Sequence, residues 1–266
     1  GGVDVTSVAT VPVEQRSRGT FAARGHGVVA GGAVAAAAVD MVCGDAVSDV
    51  EYVVADGDRV GPGDPVARVV APTRALLTAE RTALNLLCHL SGVATLTRRW
   101  ADALDGTGCV VRDTRKTTPG LRALEKYAVR CGGGANHRMG LADAALVKDN
   151  HVLAAGGVAE AFAAVRALAS TIPVEIEVDS LAALRIAIDA GADTVLLDNF
   201  DLDEMRAAVA IRDESGRDVA LEASGGLTLE VARQVGETGV DYVAVGELTH
   251  SARVLDIGLD LDAVEP

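Results

Sequence analysis

The sequence is poor in aromatic residues, in paired cysteines and in net positive charge. Aromatic residues make up 3% of its 266 positions and the formal net charge is -14, so we expect no nucleic-acid partner. No apolar run approaches the roughly 20 residues that span a bilayer, and no leader-like segment opens the chain, which predicts a soluble protein without a membrane partner. The four cysteines lack C-x-x-C spacing, which predicts reduced thiols and a cytoplasmic location.

Positive charge is concentrated in one window of this acidic chain. Residues 112–151 contain eight Lys or Arg residues and four acidic ones. We interpret Arg122, Lys126 and Arg130, which stand at helical spacing, as a solvated helix face. The other cations stand beside turn or strand signals and indicate an anionic ligand: Arg115, Lys116, Arg138 and Lys148.

From about residue 110, short β-branched runs alternate with amphipathic helical segments. Six such runs, among them CVVRD, PVEIEVD and ADTVLLDN, predict a parallel sheet. The runs end in polar residues such as Asp113, and the G-x-G-x-x-G fingerprint of an open dinucleotide-binding sheet is absent. We therefore expect an α/β barrel over residues 91–251, with Asp113 and the active site at the rim formed by the carboxyl ends of its strands.

The first 90 residues have a different pattern. Short alternating segments are separated by Asp-Gly, Pro-Gly and Gly-Asp, which is typical of tight hairpins. We expect a small α+β domain with a mostly antiparallel sheet over residues 1–90, to which residues 252–266 return. The stretch DGDRVGPGDPVARVVAP is also similar to the hairpins of biotinyl and lipoyl carriers, but no central lysine stands on an exposed turn.

The carboxyl ends of the predicted strands carry groups suited to a phosphorylated sugar. Glycines follow the last two strands, in LEASGGL and YVAVGELTHSA, and such turns let backbone N–H groups approach a phosphate. Glu177 and Asp198 end neighbouring strands and should face one mouth. They are suited to acid and base catalysis, to a divalent metal or to sugar hydroxyls. The residues alone thus indicate a phosphorylated sugar with a metal, and an acidic second substrate.

Several motifs together resemble one family over nearly the whole chain, the quinolinate phosphoribosyltransferases. They are RDTRKTTPGLRALEKYAVRCGGGANHRMGLADAALVKDNH, ERTALNLLCHLSGVATLT, VEIEVDS, LLDN, EASGG and VGELTHS. The resemblance implies an α/β fold in which an N-terminal α/β open-faced sandwich domain joins an incomplete, seven-stranded α/β barrel, assembled as a homodimer or a higher multiple. It implies a Mg2+-dependent pentosyltransferase of NAD biosynthesis. Such an enzyme converts quinolinate and 5-phosphoribosyl-1-pyrophosphate to nicotinate mononucleotide, pyrophosphate and CO2.

The resemblance also implies roles for individual residues. Quinolinate binding is implied for Arg115, His137, Arg138 and Lys148, and for Arg81, which the partner subunit donates. Binding of phosphoribosyl pyrophosphate is implied for Lys116, Lys148, Glu177, Asp198, Ser224, Gly225, Gly246 and His250. Catalysis is implied for Lys116, Glu177 and Asp198, with the two acids near the metal. We expect hydroxyl contacts to the ring acid from Thr117 and Thr118.

Three alternatives stay open from the sequence. The first is a phosphoribosyltransferase of the same fold that acts on nicotinate or another pyridine acid. The second is a related molybdenum-operon protein, which shares several of the motifs. The third alternative is a non-catalytic binding protein on a barrel scaffold, because a fold alone does not assign a function. A monocarboxylate needs fewer cations than a dicarboxylate, so the cation set favours quinolinate.

Overall fold

The computed structural model describes residues 3–47 and 49–263. Its strands are β1 (Arg16–Ala23), β2 (Gly27–Val28), β3 (Asp49–Tyr52), β4 (Arg59–Val60), β5 (Pro65–Pro72), β6 (Val110–Arg112), β7 (Ala145–Val147), β8 (Val174–Val178), β9 (Thr194–Asp198), β10 (Ala220–Ser224), β11 (Tyr242–Ala244) and β12 (Ile257–Ala263). Its α-helices are α1 (Val5–Thr10), α2 (Gly32–Cys43), α3 (Thr73–Leu104), α4 (Arg122–Cys131), α5 (Asp149–Ala155), α6 (Val158–Leu168), α7 (Leu181–Ala190), α8 (Leu202–Ser215), α9 (Ala232–Gly236) and α10 (Glu247–His250).

The chain divides into two compact units. The first contains the residues up to 98, residues 124–133 and the residues from 251 onward, and the second contains residues 99–123 and 134–250. The expected domains, 1–90 with 252–266 and then 91–251, stay a prediction. They differ from these units chiefly in residues 124–133, which group with the N-terminal residues.

The first unit is an open-faced α/β sandwich. Its antiparallel sheet has the order β12-β1-β5-β3, and Phe21 at the centre of the sheet lies opposite both Leu259 and Ala67. One hydrophobic core joins this sheet to α2 and α3, and Phe21, Val39 and Leu84 are buried in it. The N-terminal sandwich predicted from the resemblance is therefore confirmed.

The second unit is built on a six-stranded parallel sheet of order β6-β11-β10-β9-β8-β7. Val195, Leu196 and Leu197 of the inner strand β9 are all buried, as expected for a strand covered on both faces. Within residues 3–47 and 49–263, β6 and β7 do not pair with each other, so the barrel is incomplete. Ala135 makes a single parallel bridge to Arg112 beside β6 and occupies the seventh strand position.

Defined caps fix the helices that follow the barrel strands. Ser180 begins α7 and accepts a hydrogen bond from the Ala183 N–H at 3.4 Å. Asp201 begins α8 and forms a reciprocal capping box with Glu204. Because β8 and β9 pass within four residues into these capped helices, the last side chain of each of the two strands has a defined place at the rim of the barrel.

The predicted solvated face of α4 is wrong for two of its three cations. Lys126 is fully buried, next to Glu125, whose Oε1 lies 2.8 Å from His89 Nε2. Arg122 is half-buried and donates to the Thr117 hydroxyl and to the carbonyls of Arg115 and Met139. Only Arg130 is exposed. Helical spacing identifies a shared face, but it does not determine whether water or protein covers that face.

A helix that crosses a bilayer must be both long and apolar. No single helix among the described residues meets both requirements. Helices α5 and α6 meet them only when counted together, and they are bent by 90° where they join.

Candidate active site

A cavity of about 590 Å3 opens at the carboxyl ends of the barrel strands. Its volume is typical of small-molecule sites, and every residue that lines it belongs to the second unit. Every residue to which the resemblance assigns a substrate or catalytic role, except Arg81, lines it: Arg115, Lys116, His137, Arg138, Lys148, Glu177, Asp198, Ser224, Gly225, Gly246 and His250. Arg81 lies in the first unit, on α3, with an exposed side chain.

The two predicted carboxylates stand at the ends of adjacent strands. Glu177 of β8 forms an ion pair with Lys148 Nζ. Asp198 of β9 accepts a hydrogen bond from Asn199 Nδ2 at 2.9 Å, and the Asn199 N–H donates to the Ser224 carbonyl at 2.9 Å. Asn199 has a φ of 58°, the left-handed conformation that asparagine tolerates better than most residues. This turn holds the Asp198 carboxylate at the mouth of the cavity.

Glycines form the part of the cavity wall that follows β10 and β11. Gly225 has a φ of 95°, and a Cβ at this position would lie 2.2 Å from Asn199 Oδ1. A Cβ at Gly246 would lie 3.0 Å from Lys116 Cδ and 3.3 Å from His250 Nε2. Only glycine therefore lets these side chains and the backbone approach one another so closely.

Two arginines at another part of the wall raise each other's electrostatic energy. Burial and then the nearby cation of Arg115 lower the pKa of the Arg138 guanidinium. Arg138 Nη1 donates to the Ala144 carbonyl at 3.0 Å. Its Nε is buried and has no hydrogen-bond partner within the described chain. A buried N–H without an acceptor, beside a second cation, fits an anionic ligand.

A buried charged cluster lies deeper in the barrel, and sequence reasoning missed most of it. His137 Nε2 lies 2.8 Å from Glu175 Oε2 and 3.6 Å from Glu222 Oε1, and Arg112 Nη1 lies 2.7 Å from Glu222 Oε2. Burial, and then the charge of Glu175, raise the pKa of Glu222 to about 7. The signal was present in VEIEV, ALEAS and VVR, where charged residues interrupt otherwise apolar strands.

Two expectations about the loop after β6 are wrong. Asp113 was expected at the rim, but it is fully buried and accepts from the His137 N–H at 2.9 Å and from Asn136 Nδ2 at 2.5 Å. The carboxylate turns inward because it satisfies donors of the neighbouring segment. Thr117 and Thr118 do not line the cavity, and the Thr117 hydroxyl instead accepts from Arg122 Nε at 3.1 Å.

An incomplete barrel with cations, carboxylates and glycine turns around one mouth defines an enzyme of the α/β-barrel class suited to polyanionic, phosphorylated substrates. The family model described as quinolinate phosphoribosyl transferase, N-terminal domain, matches residues 4–91. The corresponding C-terminal domain matches residues 93–260. The chain belongs to the quinolinate phosphoribosyltransferase family.

Similar proteins agree with this membership. A nicotinate-nucleotide pyrophosphorylase [carboxylating] of Mycobacterium leprae is 54% identical over 98% of this chain and 92% of its own length. The crystal structure of NadC from Streptococcus pyogenes has a TM-score of 0.92 at 39% identity, over 98% of this chain and 92% of that one. A human nicotinic acid phosphoribosyltransferase has a TM-score of 0.66 at 13% identity, over 97% of this chain and 72% of that one, which shows a shared fold alone.

The raised pKa of Glu222 predicts a pH-dependent stability. The folded state holds the Glu222 proton more strongly than the unfolded state, so this contribution is complete below pH 4.5 and is lost as the pH rises through about 7. We expect the free energy of unfolding to fall over this interval in the wild type and to fall less in Glu222→Gln. Urea denaturation at stepwise pH measures this difference. The exposed Glu214→Gln is the matched control, and parallel curves for Glu222→Gln and wild type would contradict the assignment.

Proposed function

We propose that this chain transfers the phosphoribosyl group of 5-phosphoribosyl-1-pyrophosphate to quinolinate. The products are nicotinate mononucleotide, pyrophosphate and CO2, as NAD biosynthesis requires. The observation that carries the proposal is a single cavity that gathers Arg115, Lys116, Arg138 and Lys148 in a chain of net charge -14. Membership of the family and 54% identity to a carboxylating nicotinate-nucleotide pyrophosphorylase support it.

The part of the cavity formed by the arginines suits the pyridine dicarboxylate. Arg115 and Arg138 present planar guanidinium groups, which pair with carboxylates through two parallel hydrogen bonds. The buried Arg138 Nε gains an acceptor when a carboxylate enters. The same carboxylate offsets the repulsion between the two arginines, so a dianion is favoured over a monocarboxylate such as nicotinate.

The part formed by the glycine turns suits the phosphorylated sugar. Backbone N–H groups at Ser224–Gly226 and at Gly246 bind the 5-phosphate, because the glycines there add no side chain of their own to the wall. Lys116 packs over Gly246 and provides a compact positive charge for the pyrophosphate. His250, whose Nε2 lies on the same wall, adds a further contact to phosphate.

The carboxylates fit a divalent cation by their chemistry. Glu177 and Asp198 offer oxygen ligands in one cavity, and Mg2+ characteristically binds one or two carboxylates together with substrate phosphates. We propose that these two residues hold Mg2+. When bound, Mg2+ offsets negative charge on the pyrophosphate leaving group.

The reaction needs no nucleophile from the protein. The ring nitrogen of quinolinate forms a bond to the anomeric carbon while the C–O bond to pyrophosphate breaks and its electron pair leaves with pyrophosphate. Positive charge builds at the anomeric carbon, where the carboxylates of Glu177 and Asp198 stabilise it, and Lys116 stabilises the leaving group. The C–C bond to the adjacent carboxylate then breaks, because the quaternised nitrogen stabilises the electron pair left on the ring carbon, which takes up a proton.

The reaction itself gives the first prediction for this function. Protein mixed with Mg2+, phosphoribosyl pyrophosphate and quinolinate should release CO2 and nicotinate mononucleotide in equal amounts, which radiolabelled CO2 and chromatography measure. We expect nicotinate in place of quinolinate to give no mononucleotide, and a chelator to stop turnover. Efficient use of nicotinate would favour the same-fold alternative, and no turnover of either acid would favour a non-catalytic binding protein.

Substitutions at opposite parts of the cavity should separate capture from turnover. We expect Arg115→Ala and Arg138→Ala to raise KM for quinolinate by roughly 10- to 100-fold, since each removes a charge-assisted contact. Asp198→Ala should instead lower kcat by on the order of 100-fold, because it removes charge stabilisation at the anomeric carbon. Steady-state kinetics with each substrate varied in turn measures both effects. Arg217→Ala, at an exposed position outside the cavity, is the control, and unchanged kinetics in all three site variants would refute the residue roles.

We also propose that the active assembly is a homodimer or a higher multiple in the cytoplasm. The resemblance implies that Arg81 reaches into the cavity of the partner subunit. Its side chain is exposed and lies 3.7 Å from the adjacent Glu80, which suits such a role. The four free cysteines fit a reducing compartment.

Mixed assemblies test the donation of Arg81. Arg81→Ala and Asp198→Ala subunits should each be nearly inactive alone. Mixed after reversible dissociation, they should regain activity, because a cavity with an intact Asp198 then receives Arg81 from the other subunit. Turnover before and after mixing measures the recovery. A fully active monomer in sedimentation experiments, or no recovery in confirmed mixed assemblies, would contradict the donation.

A further inference from the structure

Both ring nitrogens of His137 form hydrogen bonds within the chain. The Arg138 backbone N–H donates to His137 Nδ1 at 2.7 Å, and His137 Nε2 lies 2.8 Å from Glu175 Oε2. The residue is 8% exposed, although it lines the cavity. The resemblance implies that His137 binds quinolinate, but both of its ring nitrogens are already bonded within the chain.

The two hydrogen bonds fix the tautomer of the ring. A backbone N–H only donates, so Nδ1 must present its lone pair and carry no proton. A carboxylate only accepts, so Nε2 must carry the proton that it donates to Glu175. His137 is therefore a neutral imidazole, and the hydrogen-bonding atoms of the ring are already used by Arg138 and Glu175.

The same tautomer argues against a metal at this cluster. His137, Glu175 and Glu222 bring potential ligand atoms within 4.8 Å of one another. A metal would need the lone pair of Nε2, but this nitrogen carries the proton while Nδ1 accepts from Arg138. The guanidinium of Arg112, 2.7 Å from Glu222, already supplies positive charge to the carboxylates. The cluster is consequently better described as a support for the ring than as a cation site.

The backbone on the other side of the ring is fixed as well. Asp113 accepts from the His137 N–H at 2.9 Å, so a buried carboxylate holds the peptide that precedes the ring. The ring then holds the next peptide N–H, that of Arg138. Arg138 Nη1 donates to the Ala144 carbonyl, and the buried Arg138 Nε has no partner in the described part of the chain. One continuous series of hydrogen bonds thus runs from Glu175 through the His137 ring to the residue that faces the ligand.

We propose that His137 is a positioning residue for quinolinate capture, which acts by holding the Arg138 backbone through Nδ1 while Glu175 orients its ring. The inference rests on the proposed function, because it concerns the ligand that Arg138 binds. It predicts that the acceptor at Nδ1 matters more for capture than the donor at Nε2 does.

Two substitutions each keep one of the two hydrogen bonds. In His137→Asn the amide oxygen can take the place of Nδ1 and accept from Arg138, while in His137→Gln the longer amide can donate to Glu175 in place of Nε2. We expect His137→Gln to raise KM for quinolinate by about tenfold, the loss of roughly one hydrogen bond. His137→Asn should raise it several-fold less, and KM for phosphoribosyl pyrophosphate should change in neither variant. The exposed His26→Gln is the matched control. Equal losses in both variants, or a larger loss in His137→Asn, would overturn the proposal.

Nitrogen NMR of the wild-type protein tests the tautomer without any substitution. Protein labelled with 15N on histidine should give a pyridine-type shift for Nδ1 and a pyrrole-type shift for Nε2 at neutral pH. Addition of quinolinate should preserve this assignment. A doubly protonated ring, or a proton that moves to Nδ1 when quinolinate binds, would show that Nδ1 does not accept from the Arg138 N–H and would refute the proposal. Turnover of quinolinate by the wild type is measured first, so a failure of the proposed function is distinguished from a failure of the positioning role.

Discussion

Burial of the Arg138 guanidinium beside a second cation is the constraint on which the site depends. Arg115 and Arg138 face each other's charge, and the Arg138 Nε has no acceptor within the described residues. Such an arrangement stores unfavourable electrostatic energy that an entering anion relieves, so part of the binding selectivity exists before the ligand arrives. The carboxylates and the glycine turn that share the cavity with these arginines stand at the ends of β8, β9 and β10, and the buried valines and leucines of these strands stabilise the sheet.

The buried acids of the barrel interior complement this constraint. Glu222 lies between Arg112 and His137, and Glu175 accepts from the His137 ring. These carboxylates are costly to bury, and the raised pKa of Glu222 is the direct sign of that cost. Their contribution is geometric, because Glu222 holds the Arg112 guanidinium and Glu175 holds the His137 ring. Removing one partner of such a network leaves another charge buried without compensation. The charged residues inside the apolar strands therefore depend on one another.

The sequence predicted the general architecture and the wall of the cavity, because both depend on local patterns. Alternating apolar runs and helices indicate parallel strands, and residues such as Asp198 and Ser224 follow directly from where those runs end. What it did not predict depends on contacts between distant segments. Lys126 is buried although its helical spacing matches that of a solvent-exposed face, and Asp113 turns inward to bond His137. Glu175 and Glu222 were overlooked because the strand pattern was interpreted by its apolar members alone.

The glycine turn at Ser224–Gly226 gives the two parts of the cavity different sensitivities to the medium. A peptide N–H has no ionisable proton in the range where proteins stay folded, so the donors that this turn offers to an oxyanion are the same in mildly acidic and mildly basic solution. The opposite wall rests on a buried cluster that contains Glu222, whose pKa is raised to about 7 by burial and by the charge of Glu175. The cavity thus combines backbone donors that are indifferent to acidity with a wall that contains a carboxyl group titrating near neutrality. A change of pH near neutrality would therefore act first on the wall that carries the arginines, through the Glu222 carboxyl.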